Sequence, residues 1–427
     1  MKITILNGNS KASQFDEYLE RLQTRLESDS HKVDHLILRD INLKYCVGCF
    51  GCWVKTPGEC SNRDGSCQIR RSMINSDFTL WAAPLRMGFP SATLKMAMDK
   101  SIPLVHPYFV VDLGEAHHRA RYDHYPRLGL LVEKESDTDQ ADLDLVRMIF
   151  SRTAINLKSS LEFLVTTDSG TQEIADRIIT KSDSIIPRKT HYSMIPGVEV
   201  TPPNKLTIFN GSPRGRKGNT PIMLTQIGKG FAEKSGCTYE LYNLNRLKSL
   251  NKHVEAFENA ECIWFGFPLY TDAMPGMVKT FIEALNPLRS SESNPPIGFL
   301  VQSGFPEAHH SRYIERYLQK LAHRLKSPYL GTIVKGGGEG VRMIPVDKNA
   351  KLFDALQRLG WSLARTGSLY PELVRVVSGI ERYPAILAPF FKIFVRLPIA
   401  SWYWDMQLKK NGVYEQRFAQ PYLEGVR

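Results

Sequence analysis

The stretch KITILNGNS, Lys2 to Ser10, comes back 203 residues later as KLTIFNGSP, Lys205 to Pro213. A chain that repeats a strand and its turn at that distance is constrained to build one fold twice, within the roughly 100 to 200 residues usual for a domain. A second pair keeps the same order: Trp81 to Leu104 aligns with Phe265 to Leu288 at a spacing of 184. It preserves Pro84 with Pro268, Leu85 with Leu269, Lys95 with Lys279, an acid at Asp99 and Glu283, and Pro103-Leu104 with Pro287-Leu288. The two spacings differ by 19 residues, so the first copy carries an insertion of about that size between its first and third strands. Five cysteines, Cys46, Cys49, Cys52, Cys60 and Cys67, fall in that interval.

Each copy alternates short β-branched runs with helical periodicity. Ile3–Leu6, Val33–Leu38, Phe78–Ala83, Leu128–Val132 and Leu161–Val165 read as strands of the first copy. Leu206–Phe209, Tyr239–Leu244, Cys262–Phe267, Ile297–Val301 and Gly331–Val334 read as strands of the second. Between the first two strands, Phe15, Leu19, Leu22 and Leu26 recur at helical spacing behind Ser13, an N-cap with Asp16 three residues on. Alternating strands and helices predict an α/β fold of two parallel, doubly wound five-stranded sheets. The expected domains are 1–167 with its Cys-rich insertion at 46–67, a linker at 168–204 with one helix near Thr171 to Thr180, a second sheet domain at 205–345, and a helical C-terminal extension at 346–427.

The N-terminal apolar run is four residues, too short for a signal peptide. No charge-poor stretch reaches the length of a membrane span, so a cytoplasmic protein with reduced thiols is expected. The net charge of +11 comes from interspersed cations without a dense basic run, which argues for anionic small ligands rather than nucleic acid.

In an open α/β sheet, ligands sit at the carboxyl ends of the strands, so the loops after the first, third and fourth strands matter most. In the second copy the first of these is NGSPRGRKGNTP, Asn210 to Pro221. Its glycines let backbone approach an anion, Ser212, Asn219 and Thr220 offer donors, and Arg214, Arg216 and Lys217 offer charge ahead of a helix opened by Thr220-Pro221. That pattern points to a phosphate cradle, though neither a Walker motif nor a dinucleotide fingerprint is present. The loops Phe267 to Thr271 and Gln302 to Pro306 are aromatic and turn-forming and suit a flat ring.

NGSPR with GNT after one strand, then FPLY with a downstream Lys and Glu after another, resembles the flavodoxin-like NAD(P)H-dependent FMN reductases. The resemblance implies a flavodoxin-like fold, bound FMN, and NAD(P)H as hydride donor. It implies that Ser212, Arg214, Asn219 and Thr220 hold the FMN phosphate, that Pro268, Leu269, Tyr270 and Thr271 line the ring, and that Gly304 approaches it. In the first copy the equivalent loop offers Asn9, Lys11 and Ser13, but Asp16 and Glu17 enter the first helical turn, where they repel phosphate. One FMN, in the second copy, is therefore expected.

Cys46-x2-Cys49-x2-Cys52 has the tight spacing with which one loop wraps an iron–sulfur cubane. With Cys60 as fourth ligand it resembles the iron–sulfur flavoproteins, which implies a [4Fe–4S] cluster on Cys46, Cys49, Cys52 and Cys60. Cys67 is the rival fourth ligand, and zinc, redox thiols or plain buried thiols are the rival fates of the set. The paired histidines, His117-His118 and His309-His310, read as solvent-facing or capping. The run Pro384 to Trp404 is aromatic and apolar, but Pro389 and Pro398 are expected to break it, leaving pieces that pack on a domain or make a dimer contact. The chain thus reads as an oxidoreductase passing electrons from NAD(P)H through FMN to a small acceptor or redox protein, as a monomer or homodimer. A non-enzymatic electron carrier and a cofactor-free interaction protein are the alternatives.

Overall fold

The computed structural model describes residues 1–185, 193–384, 386 and 388–424. The chain divides into two compact units, Met1–Thr190 with Pro384–Arg427, and His191–Tyr383. The first unit contains β1 (Lys2–Asn7), β2 (Lys32–Ile37), β3 (Phe78–Arg86), β4 (Phe89–Pro90), β5 (Val105–Asp112), β6 (Glu115–Ala120), β7 (Arg127–Glu133) and β8 (Leu161–Thr166). Its main sheet runs β2-β1-β3-β7-β8 with every neighbour parallel. The second unit contains β9 (Lys205–Asn210), β10 (Thr238–Asn243), β11 (Ile263–Pro268), β12 (Ile297–Gln302) and β13 (Tyr329–Lys335), ordered β10-β9-β11-β12-β13 and again parallel. Both sheets have the strand order of a flavodoxin-like doubly wound fold.

Helices on both faces explain why the central strands are apolar throughout instead of alternating: β3 is buried from Phe78 to Leu85. Phe15, Leu19, Leu22 and Leu26 of the helix Gln14–Ser28 close one face of the first sheet against Ile3, Ile5 and Leu80. That helix begins at Ser13 with a capping box completed by Asp16, as its sequence requires. The connection from β2 to β3 spans 38–77 and that from β10 to β11 spans 244–262, so the cysteines do sit in the longer one.

Three features differ from the sequence expectation. The helix Thr171–Ile179 is part of the first unit and no linker: Ile174, Ala175 and Ile178 belong to its core. The rest of the expected linker is divided, with residues 186–192 outside the described residues and Val198 bonding to Tyr329 in the second unit. The expected extension 346–427 is divided too. Helices Ala350–Thr366 and Pro371–Ser378 join the core of the second unit through Leu356, Leu359, Leu363, Val374 and Val377, whereas the chain from Pro384 onward returns to the first. Glycine makes the first of these packings possible: a Cβ on Gly360 would lie 2.0 Å from the Ile227 carbonyl oxygen, and one on Gly230 would lie 1.8 Å from that of Gln357. Finally, β5 and β6 form a separate antiparallel hairpin between β3 and β7 that the alternating pattern did not reveal.

Candidate functional site

At the carboxyl end of each sheet the two units place matching residues. Asn7 and Asn210 end their strands and accept from the amides two residues on, Asn9 at 2.9 Å and Ser212 at 3.1 Å. Gly8 and Gly211 donate to Ala82 and Gly266 on the next strand, both at 2.7 Å. After β3 a two-residue turn at Met87-Gly88, and after β11 one at Thr271-Asp272, has both φ angles positive. The turn is closed in the second unit by reciprocal bonds of Tyr270 and Ala273 at 2.9 and 3.0 Å. Three of these four turn residues carry side chains in the left-handed region, a strain found where a loop is shaped for a ligand. The next helices bury Lys95 against Asp99, and Lys279 against Glu283 at 2.8 Å, which accounts for the aligned Lys and acid.

The loop Asn210 to Pro221 is an oxyanion cradle with a guest from its own chain. Ser212, Asn219 and Thr220 are buried, and Gly218 lies so close to Ser212 that a Cβ there would be 2.1 Å from its hydroxyl oxygen. Arg214 Nη1 donates to Glu339 Oε1 at 2.6 Å, and Asn219 Nδ2 donates to the Glu339 carbonyl at 3.0 Å. Arg342 completes the contact, its amide donating to Asn219 Oδ1 at 3.1 Å and its guanidinium to the Gly218 carbonyl at 3.1 Å. The strap Gly336–Arg342 is also tied to the loop after β12 by Gly337 and Gly338 amides donating to Phe305 and Ser303, both at 2.7 Å, and Gly304 faces the Glu339 Cβ. The residue types of this loop fit a phosphate, and the Glu339 carboxylate supplies the negative charge that Arg214 now holds. Of the ring-lining set, Pro268 is buried, Leu269, Tyr270 and Thr271 are half-buried, and Gly304 is exposed.

The corresponding loop of the first unit does not fit a phosphate. Asp16 takes its donors: Asn7 Nδ2 at 2.7 Å, Asn9 Nδ2 at 2.8 Å, the Ser13 amide at 2.9 Å and Arg39 Nη1 at 2.6 Å. Burial pushes this carboxyl up, but Arg39, Ser13, Asn7 and Asn9 together outweigh it and hold it below the ordinary carboxylate range. The turn amides of Met87 and Gly88 are likewise taken, by the Glu135 carboxylate at 3.0 and 2.7 Å. Asp16 does more than repel phosphate; it stands in for one.

All seven cysteines are free thiols. Cys46, Cys60 and Cys49 lie within electrostatic reach of Cys52, whose thiol is pushed up first by burial and then by those three neighbours. Burial likewise pushes Cys46 up to about 12, although that residue is partly exposed as a whole. Cys67 is not among these neighbours and instead lies near Tyr422. Gly48 and Phe50 adopt left-handed backbone that folds the loop around the sulfurs, and the Gly51 amide donates to Cys49 Sγ at 3.4 Å. Buried cations are close: Lys100 Nζ donates to Cys60 Sγ at 3.6 Å and pairs with Asp64 at 2.9 Å, and Arg70 acts on Cys52. Tetrahedral zinc with bonds near 2.3 Å needs sulfurs about 3.8 Å apart. Among the described residues the cysteines form no group of three sulfurs within 4.8 Å of one another. The helix Gly51–Val54 is roofed by the returning C-terminus: Trp404 packs edge-on against Phe50 and Trp53 at 5.4 and 5.3 Å, and the Tyr422 hydroxyl accepts from Arg70 Nε at 2.8 Å. The histidines, read as solvent-facing or capping, do not all face solvent. His117, His309 and His310 are buried, and burial pushes His117 down to about 4.

Residues 1–109 match the family described as NADPH-dependent FMN reductase. The chain is 27% identical over 104 residues to an iron–sulfur flavoprotein of Archaeoglobus fulgidus, covering 24% of this chain and 46% of that one. It is 30% identical over 105 residues to an iron–sulfur flavoprotein of Methanocaldococcus jannaschii, covering 24% and 53%. The family match falls on the N-terminal part of the chain. The chain spans about half the length of the relatives it matches. Solved structures that resemble it include an FMN-dependent NADH-azoreductase of Bacillus anthracis with FMN bound (13% identity, 38% of this chain, 100% of that one, TM-score 0.30). Another is an NAD(P)H:quinone oxidoreductase of Methanothermobacter marburgensis (15%, 37%, 94%, TM-score 0.29). The family match covers the unit with the cysteines, whereas the cation-lined loop lies beyond it.

Proposed function

We propose that the protein is a cytoplasmic flavin-dependent oxidoreductase, with FMN held by the second unit and an iron–sulfur cluster by the first. The observation that supports this reading is the loop at the carboxyl end of β9, where Arg214 already pairs with the Glu339 carboxylate and Asn219 donates to the Glu339 main-chain carbonyl. Ser212, Arg214, Asn219 and Thr220 would bind the phosphate in place of Glu339, and Pro268, Leu269, Tyr270, Thr271 and Gly304 would bound the ring. Cys46, Cys49, Cys52 and Cys60 would hold a [4Fe–4S] cluster, with Lys100 and Arg70 offsetting its negative charge. When bound, FMN accepts hydride from NAD(P)H and the cluster carries single electrons, so the chain itself need supply no acid or base. Its residues anchor, orient and neutralise. A small acceptor or redox protein receives the electrons. The test is the absorption spectrum of the anaerobically purified chain, with FMN, iron and sulfide measured per chain. Flavin that is lost on Ser212→Ala with Arg214→Ala is the expected result; a colourless protein that takes up neither group on reconstitution refutes the reading.

A further inference from the structure

The returning C-terminal segment has two apolar faces, and only one of them is used. The segment is divided into two helices, Ala388–Phe394 and Pro398–Lys410, with Pro389 and Pro398 in their first turns, where a missing N–H costs nothing. The inner face is satisfied: both helices contact β5, Leu408 is buried, Trp404 covers the cysteine helix, and Asp405 accepts from Tyr108 at 2.7 Å. The outer face is not. Ile386 (78% exposed), Phe390 (68%), Ile393 (60%), Leu397 (46%), Ile399 (71%) and Trp402 (62%) follow one another at spacings of two to four residues along the two helices. An apolar stripe of that kind normally lies against something.

Its charge says what. Lys392, Arg396, Lys409 and Lys410 are exposed in the same segment, and Asp405, the one acid between Pro384 and Asn411, is turned inward to Tyr108 and Ser401. A second copy docking through a two-fold axis would bring this cationic rim against itself. Exposed Trp, Phe and Ile beside Lys and Arg match the plane between headgroups and acyl chains of an anionic bilayer. No described helix is long and apolar enough to cross a membrane, so contact would be at the surface. We infer that the helices Ala388–Phe394 and Pro398–Lys410 form a docking surface for the face of an anionic lipid bilayer.

The inference is independent of the flavin reading and is tested by sedimenting the full chain with vesicles. Binding to phosphatidylcholine with 30% phosphatidylglycerol should exceed binding to pure phosphatidylcholine by at least tenfold and fall as salt rises. Lys392→Gln with Arg396→Gln should weaken it about thirtyfold, and Phe390→Ser with Trp402→Ser should abolish it. These four side chains are exposed, so circular dichroism and melting should match the parent. Equal affinity for neutral and anionic vesicles, or no sedimentation with either, overturns the inference. So does a dimer in the ultracentrifuge that the Phe390→Ser, Trp402→Ser variant dissolves, which would make the face a contact between copies.

Discussion

Substituting Glu339 with Gln separates the charge of the internal guest from its backbone. The side chain holds Arg214 at 2.6 Å, while its carbonyl holds Asn219 at 3.0 Å, and the second bond survives the change. The ion pair is partly exposed, 23% for Arg214 and 32% for Glu339, so it is worth about 1 kcal/mol at most. A ligand phosphate that must displace it loses that amount of binding, so E339Q should tighten FMN by about fivefold. The assay is quenching of flavin fluorescence as FMN is titrated into apoprotein, with riboflavin as the comparison. Riboflavin lacks the phosphate, so its weaker affinity should not move, and Arg214→Ala should weaken FMN alone. If E339Q leaves FMN affinity unchanged, or tightens riboflavin equally, Glu339 is a structural tie and the cradle is not the phosphate site.

The cysteine geometry expects Cys60→Ser to lower iron and sulfide per chain after anaerobic purification, and Cys67→Ser to leave both at the parent value. Asp16→Asn should cost the first unit about 2 to 3 kcal/mol, read as faster hydrogen exchange at the Ile3–Leu6 amides. Because the Asp16 carboxyl is held low in the fold, its contribution is complete above the ordinary carboxylate range and is lost as pH falls through the depressed value. The gap between parent and variant should therefore be full at pH 7 and shrink below about pH 4. Trp404→Ala removes the roof over Phe50 and Trp53 and should speed tryptic cleavage at Lys55 and Arg63 by tenfold or more while cleavage in the second unit stays the same, since local opening sets both rates.

The strands of the two parallel sheets were legible because each is a short apolar run flanked by its own turn, information that lies within a few residues. The aligned Lys95–Asp99 and Lys279–Glu283 pairs were legible for the same reason, being one helical turn apart. Glu339 was not, since its partner Arg214 is 125 residues away and a Gly-rich turn carries no sign of what it folds onto. Glu135 was missed likewise: only the packed sheet brings it to the Met87 and Gly88 amides. Asp16 was seen as a charge in the wrong place for phosphate, but Arg39, which turns it from an obstacle into an occupant, comes from the end of another strand. The cysteine spacing left Cys60 and Cys67 equivalent as fourth partners. The helix Ser66–Ile74 separates them by carrying Cys67 away toward Tyr422.

The first unit is interrupted, its last piece arriving only after the whole of the second has been made. At about 5 to 20 residues per second, translation of the intervening residues 191–383 takes roughly 10 to 40 s. Throughout that interval Cys46, Cys49, Cys52 and Cys60 have emerged without Trp404 over the helix beside them. The nascent chain is thus open at these thiols and lidded last, so the order of synthesis leaves them accessible before the finished protein restricts them.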